Sequence, residues 1–362
     1  MAAPCDGFLL VSFGGPEGPA EVLPFLRNVT AGRPVPAERL EQVAGHYQLF
    51  GGVSPINQQC RDLLAAVQKD FAAEGVGLPA YWGNRNWKPY LADTLRAMAD
   101  AGITHALAFV TSPYSSFSGC RQYLGDIERA RAEVGPGAPR VSKIRQYFNH
   151  PGFIDPFVTA ANEAIESLPQ CVQNDAELVF VAHSVPEAMA AASGPAGGAY
   201  PAQLAEAARL VAERIGDRRW RLAYCSRSGP PAHAWLGPDI NAVLADLAAA
   251  GAAGVAVVPI GFVSDHMEVR FDLDVEAKAT AERLGLPYAR AATPGTDPRF
   301  VAMITELVRE RTCDLPRRAL GSLGPGPDAC PPGCCGGGSG PPASGVPPVS
   351  ARASTGPGRP VT

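Results

Sequence analysis

Gly254-Val255-Ala256-Val257-Val258-Pro259-Ile260-Gly261-Phe262-Val263 runs directly into Ser264-Asp265-His266-Met267-Glu268-Val269-Arg270-Phe271-Asp272-Leu273-Asp274-Val275-Glu276. The first part is an unbroken apolar run and reads as a buried strand. The second reads as a helix in which Glu268, Asp272 and Glu276 stand four apart on one face. Like charges at that spacing repel by roughly a few tenths of a kcal/mol per pair. Folding gains nothing from such a ladder, whereas a divalent cation or a moving proton needs a row of oxygen ligands. A solvated acidic face has the same pattern. The place just after a buried strand favours a site, because ligands in open α/β sheets sit beyond the carboxyl ends of strands.

Working outward, strand patterns alternate with helical ones along the chain. Gly7–Phe13, Ala80–Gly83, His105–Thr111 and Val141–Phe148 read as strands in the first half. Glu177–Ala182, Trp220–Cys225, Val255–Phe262 and Pro287–Ala291 read as strands in the second. Tyr90–Ala101, Ala202–Ile215 and Asp239–Ala249 are amphipathic helices between them. This alternation predicts an α/β protein of two similar doubly wound lobes, each a parallel four-stranded sheet flanked by helices. The boundaries read as 1–152 and 153–320, with the joint near Pro151–Asp155 and the site in the cleft between lobes. Residues 321–336 form a cysteine-bearing extension. Residues 337–362, rich in Gly, Pro and Ser, cannot bury enough apolar surface to offset chain entropy and read as a disordered tail.

The chain has 362 residues, 46% hydrophobic and 18% charged, and a net charge of −4. These values describe a globular protein with a substantial core and no basic stripe for nucleic acid. No apolar run approaches the roughly 20 residues of a membrane span. The N-terminal apolar run, Phe8 to Phe13, is too short for an export signal, so the expected location is the cytoplasm. Nine cysteines are many for a reducing compartment, and Cys330, Cys334 and Cys335 cluster near the end. Without an export signal, clustered cysteines point to metal ligation rather than disulfides.

His183 follows the strand Leu178–Ala182, where an imidazole can take a proton or ligate a metal. A structural histidine bonded to a loop carbonyl fits the same position. Ser184 beside it lacks a Gly-x-Ser-x-Gly elbow. Gly14-Gly15-Pro16-Glu17-Gly18-Pro19 follows the first strand but is not a phosphate loop, and its two prolines remove backbone donors. Tyr81-Trp82-Gly83-Asn84-Arg85 and Thr111-Ser112-Pro113-Tyr114-Ser115, the latter running on to Cys120 and Arg121, mix aromatic and basic groups at strand ends. Such mixtures suit a flat apolar ligand with carboxylate arms.

Taken together, these motifs resemble the ferrochelatase family from about Gly7 to Thr312. Leu9-Leu10-Val11-Ser12-Phe13-Gly14-Gly15-Pro16, Gly51-Gly52-Val53-Ser54-Pro55-Ile56-Asn57 and Tyr81-Trp82-Gly83-Asn84-Arg85 carry the likeness in the first half. Ala182-His183-Ser184-Val185-Pro186, Trp235-Leu236-Gly237-Pro238 and Val258-Pro259-Ile260-Gly261-Phe262-Val263-Ser264-Asp265-His266-Met267-Glu268 carry it in the second. The Ser118-Gly119-Cys120-Arg121 loop and the cysteine-bearing end resemble the actinobacterial branch, which inserts Fe²⁺ into coproporphyrin III to make coproheme. A protoporphyrin IX chelatase and a tetrapyrrole carrier without chemistry are the alternatives.

The resemblance implies that His183 accepts pyrrole protons or ligates the metal, with Glu268 facing it across the porphyrin. It extends the metal-handling row to Asp272 and Glu276 and makes His266 a supporting group. It implies substrate contacts from Arg85, Arg121, Ser54, Trp235 and Tyr114; Tyr114 would replace the tyrosine that some members carry where this chain has Phe13. It implies a 2Fe–2S cluster on Cys330, Cys334, Cys335 and a body cysteine. Cys120 is the choice for that ligand, with Cys171 and Cys313 as substitutes. A porphyrin is the expected partner, with no nucleic acid, no integral membrane segment and a monomeric chain.

Overall fold

The computed structural model describes residues 5–32, 34–228 and 233–336. Its first half runs β1 (Gly7–Ser12), α1 (Val22–Val29), α2 (Ala37–Gln48), α3 (Ile56–Ala73), β2 (Ala80–Asn84), α4 (Leu91–Asp100), β3 (His105–Val110), α5 (Gln122–Val134) and β4 (Arg140–Lys143). The second half begins with α6 (Pro151–Ser167), β5 (Glu177–His183), α7 (Glu187–Ala191), α8 (Ala199–Ile215), β6 (Trp220–Cys225) and α9 (Ile240–Ala249). It continues through β7 (Val255–Val258), α10 (Met267–Val269), a π-helix (Arg270–Ala277), α11 (Lys278–Arg283), β8 (Tyr288–Arg290) and α12 (Pro298–Thr312).

Both sheets are parallel and four-stranded, ordered β2-β1-β3-β4 and β6-β5-β7-β8. The order is therefore the same in each half, as two similar lobes require. The inner strands β1, β3 and β7 are buried throughout, and β5 is buried up to His183, which explains their continuous apolar sequences. Register sets Ser12 opposite Asn84, and His183 opposite Cys225, at the carboxyl ends of the two sheets.

Two strands are shorter than their sequences suggest by four residues or more. β4 ends at Lys143, after which Arg145 to His150 form a buried crossover between the sheets. Arg145 lies there in a two-point ion pair with Glu310 of α12, at 2.7 and 2.8 Å. β7 ends at Val258, because Pro259 has no N–H for the ladder and the chain then turns. At that turn a Cβ on Gly261 would meet the Ala182 Cα at 2.6 Å, so only glycine lets the loop close on the end of β5. The 152/153 boundary falls inside the first turn of α6.

The largest apolar cluster spans both sheets, from Phe8 and Phe109 to Phe180 and Val258, filled by Phe153, Phe157, Phe300 and Ile304 of α6 and α12. α12 packs on both α3 and α6, so the end of the folded chain ties the halves together. Beyond it the extension returns across the crossover. Asn149 Nδ2 donates to the carbonyls of Leu320 and Gly324, at 3.0 and 2.8 Å. The Ser322 N–H donates to Glu206 at 2.7 Å. The 337–362 segment lies outside the described residues.

Candidate active site

β5 delivers His183 at its carboxyl end, and the loop after β7 delivers the acidic helix opposite it. His183 Nδ1–H donates to the Ser184 carbonyl at 2.5 Å, leaving Nε2 to face Glu268 Oε2 at 3.6 Å. In the neutral ring this tautomer makes Nε2 a proton acceptor. Both side chains stay open, with 36% and 57% of their surfaces exposed. Burial opposes a charge on His183, but the bond to Glu268, its charge and that of Asp272 prevail and raise the imidazole pKa. Burial likewise pushes Glu268 up, yet its bond to His183 and the charges of His183 and His266 hold it below the usual carboxylate range. Both shifts run in the direction that favours a protonated imidazole facing a charged carboxylate.

The acidic segment forms one continuous helical run from Met267 to Arg283, but its middle is a π-helix where the spacing suggests an α-helix. Widening the turn keeps Glu268, Asp272 and Glu276 on a common face, since four residues fall slightly short of one π turn rather than slightly past one α turn. Burial, Glu268 and Glu276 raise the Asp272 carboxyl to about 6, against an opposing hydrogen bond from Ser226 and the charge of His183. Glu276 is exposed, and partial desolvation and the charge of Asp239 raise its carboxyl against the charge of Arg39. The row thus leads from His183 to solvent.

Neighbouring residues hold this helix. His266 caps it, its Nδ1 accepting from the Val269 N–H at 3.4 Å, and its ring packs edge-on against Phe262. Arg290 grips Asp265 at 3.0 Å and Asp274 at 2.5 Å. From the first half, His46 of α2 stacks flat on Phe271, with ring centres 3.7 Å apart. Met267 enters a cluster with Phe25, Tyr47 and Trp87. Helices α1 and α2 therefore form the opposite wall, and Phe13, Leu49 and Val53 remain exposed.

Several substrate contacts implied by the resemblance take other places. Tyr114 is 2% exposed and donates its hydroxyl to the Ile260 carbonyl at 2.8 Å, so it does not replace a metal-facing tyrosine. Ser54 is buried and packs on the backbone of Gly15. Arg85 pairs through Nε with Asp126 at 2.5 Å, lies over the rings of Tyr123 and Phe13 and exposes only 7% of its side chain, a buried role within the first half rather than an open carboxylate clamp. Arg121 is exposed in the turn that carries Cys120. Trp235 is half-buried, and its indole N–H has no partner among the described residues.

Ser226 is a residue the sequence reading passes over. It adopts a left-handed backbone with φ of 58°, and its hydroxyl donates to Asp272. Its signal was available, because it directly follows the strand residue paired with His183.

A second site lies at the crossover. Cys120, Cys334 and Cys335 form one buried cluster, with Cys330 packed against it. The four are free thiols: Cys120 is hydrogen-bonded to Cys330 and Cys335, Cys330 to Cys334, and the Cys334 and Cys335 sulfurs are 3.8 Å apart. Cys335 takes a left-handed backbone, φ 53°, a strained conformation for a residue other than glycine. Bonds from Cys120 and the Gly194 N–H hold the Cys335 thiol below its ordinary pKa, against burial. Cys171 and Cys313 are exposed and outside this group. Among the described residues no set of three or more His, Cys, Asp or Glu side chains is arranged to hold a metal ion. The four thiols are nonetheless gathered in one place.

A two-lobed parallel α/β fold with a histidine–carboxylate pair between its lobes defines the class. The fold is shared with SirB from Bacillus subtilis, solved with Fe³⁺, at a TM-score of 0.53 and 13% identity, over 85% of this chain and 96% of that one. The family model for Ferrochelatase matches residues 5–312, and the chain belongs to the ferrochelatase family, enzymes that insert metal into porphyrin. It is 56% identical to the coproporphyrin III ferrochelatase of Frankia alni, over 92% of this chain and 87% of that protein. It is 51% identical to the protein of the same name from Streptomyces coelicolor, over 92% and 94%. Among the described residues no helix is long and apolar enough to cross a membrane.

Proposed function

We propose that this enzyme inserts Fe²⁺ into coproporphyrin III, releasing two pyrrole protons and forming coproheme. The observation that carries the site reading is the His183–Glu268 pair, Nε2 to Oε2 3.6 Å apart, open to the space between the lobes. The names borne by relatives at 51–56% identity support the choice of porphyrin. A substrate with four carboxylates is water-soluble, which supports a cytoplasmic enzyme.

In this reading Fe²⁺ reaching Glu268 competes with the imidazolium for the carboxylate. Losing that partner lowers the proton affinity of His183, and its proton leaves along Asp272 and Glu276. The neutral Nε2 then accepts one pyrrole proton, passes it along the same carboxylates and accepts the second, while the metal takes the two vacated nitrogens. Arg121 and Trp235 are the remaining substrate contacts. Relative kcat/KM for coproporphyrin III and protoporphyrin IX tests the choice: preference for coproporphyrin is expected, and preference for protoporphyrin would overturn it.

The proton route has its own signature. Asp272 titrates at about 6, so insertion should fall as pH drops through that value and the carboxyl stays protonated. Asp272→Asn should be slow and lack this acid limb. A variant that keeps both rate and limb would remove Asp272 from the route.

The second site is read as holding a 2Fe–2S cluster on Cys120, Cys330, Cys334 and Cys335, four thiolates being the usual complement. When bound, such a group supplies one-electron chemistry and a covalent tie between the extension and the body. Cys120→Ser should remove the visible absorption of the purified protein. An unchanged spectrum would transfer the body ligand to another thiol.

A further inference from the structure

We propose that Gln146 is the positioning residue of the four-cysteine site, its side-chain amide fixing Cys120 and raising the reduction potential of the cluster held there. The inference rests on the cluster reading and adds to it. Gln146 is 2% exposed, and its Nε2 donates to Cys120 Sγ at 2.5 Å. Its main chain lies against the extension, where a Cβ on Gly326 would meet the Gln146 N and O at 3.4 Å. The preceding residue, Arg145, donates to the Gln146 carbonyl at 3.2 Å, to the Arg318 carbonyl at 2.9 Å and to Glu310. One residue therefore touches the body ligand with its side chain and, with its backbone, the segment that carries the other three.

The bond has an electronic consequence. Burying an amide is unfavourable unless it finds a partner, and here the partner is a ligand sulfur. A donor to a thiolate draws electron density from the iron and favours the reduced form, which carries one more negative charge. From the opposite side the Gly194 N–H donates to Cys335 Sγ at 3.1 Å. Of these two donors, only Gln146 can be removed without altering the backbone.

The test uses the full chain with its cluster reconstituted anaerobically. Dithionite, with mediators, supplies the single electron that takes the cluster from its diferric to its mixed-valence state. Gln146→Leu should lower the midpoint by about 59 mV, a tenfold change in the one-electron equilibrium, with iron and acid-labile sulfide content unchanged. Gln146→Glu should lower it further. An intact cluster with an unchanged potential would overturn the inference. Should Gln146→Leu fail to hold the cluster, pulsed EPR of the reduced wild type labelled with ¹⁵N-glutamine decides: a coupling from the side-chain amide supports the bond, and its absence refutes it. A wild type without iron and sulfide overturns the cluster reading itself.

Discussion

His183→Ala lowers iron insertion by about a thousandfold, within the range for loss of a positioned proton acceptor, while porphyrin binding persists. The geometry separates the two outcomes. His183 offers a single ring nitrogen to the space between the lobes, its other nitrogen being spent on the Ser184 carbonyl. Removing the ring deletes the acceptor and leaves Glu268 unpartnered. The walls from α1, α2 and the π-helix are untouched, because they are held by Arg290, by the His46–Phe271 stack and by the cluster around Met267. Quenching of porphyrin fluorescence measures binding, and absorbance under anaerobic conditions measures turnover. Near-normal turnover would remove His183 from the chemistry.

Glu310→Gln destabilises the fold by about 3–5 kcal/mol, the range for breaking one side of a buried ion pair. Arg145 and Glu310 expose 1% and 3% of their side chains, so bulk solvent does not reach the orphaned guanidinium. The effect extends past the pair, since Glu310 also accepts from the Arg318 N–H, where the extension leaves α12. Urea titration measures the loss. Converting both residues to methionine should recover much of it, because the main penalty lies in the orphaned guanidinium. A Glu310→Gln protein as stable as the wild type would mean that the crossover does not depend on this pair.

The two sheets were legible because parallel strands buried on both faces leave unbroken apolar runs, as at Phe8–Val11 and Leu178–Ala182. His183 and Glu268 were legible because strand ends and a four-residue carboxylate spacing are local signals. The π-turn was not, since an acidic residue every fourth position suits either helix. Arg85 misled for a plain reason: an arginine beside aromatic residues looks the same whether it meets a ligand or Asp126, forty-one residues away in sequence. Tyr114 and Ser54 misled likewise, since burial by a distant segment leaves no mark in the residues around them. The buried crossover read as strand because Ile144, Tyr147 and Phe148 are apolar for a different purpose, to fill the space between the lobes.

Metal insertion into coproporphyrin III is the reaction proposed for the space between the lobes. A single-turnover anaerobic reaction of enzyme, Fe²⁺ and coproporphyrin III tests it most directly, with absorbance reporting metalloporphyrin and a pH indicator reporting protons. Coproheme formation with two protons released per porphyrin, faster than with protoporphyrin IX, is the expected result. Tight porphyrin binding with no metallation and no proton release would contradict it and leave a carrier that has the fold without the reaction.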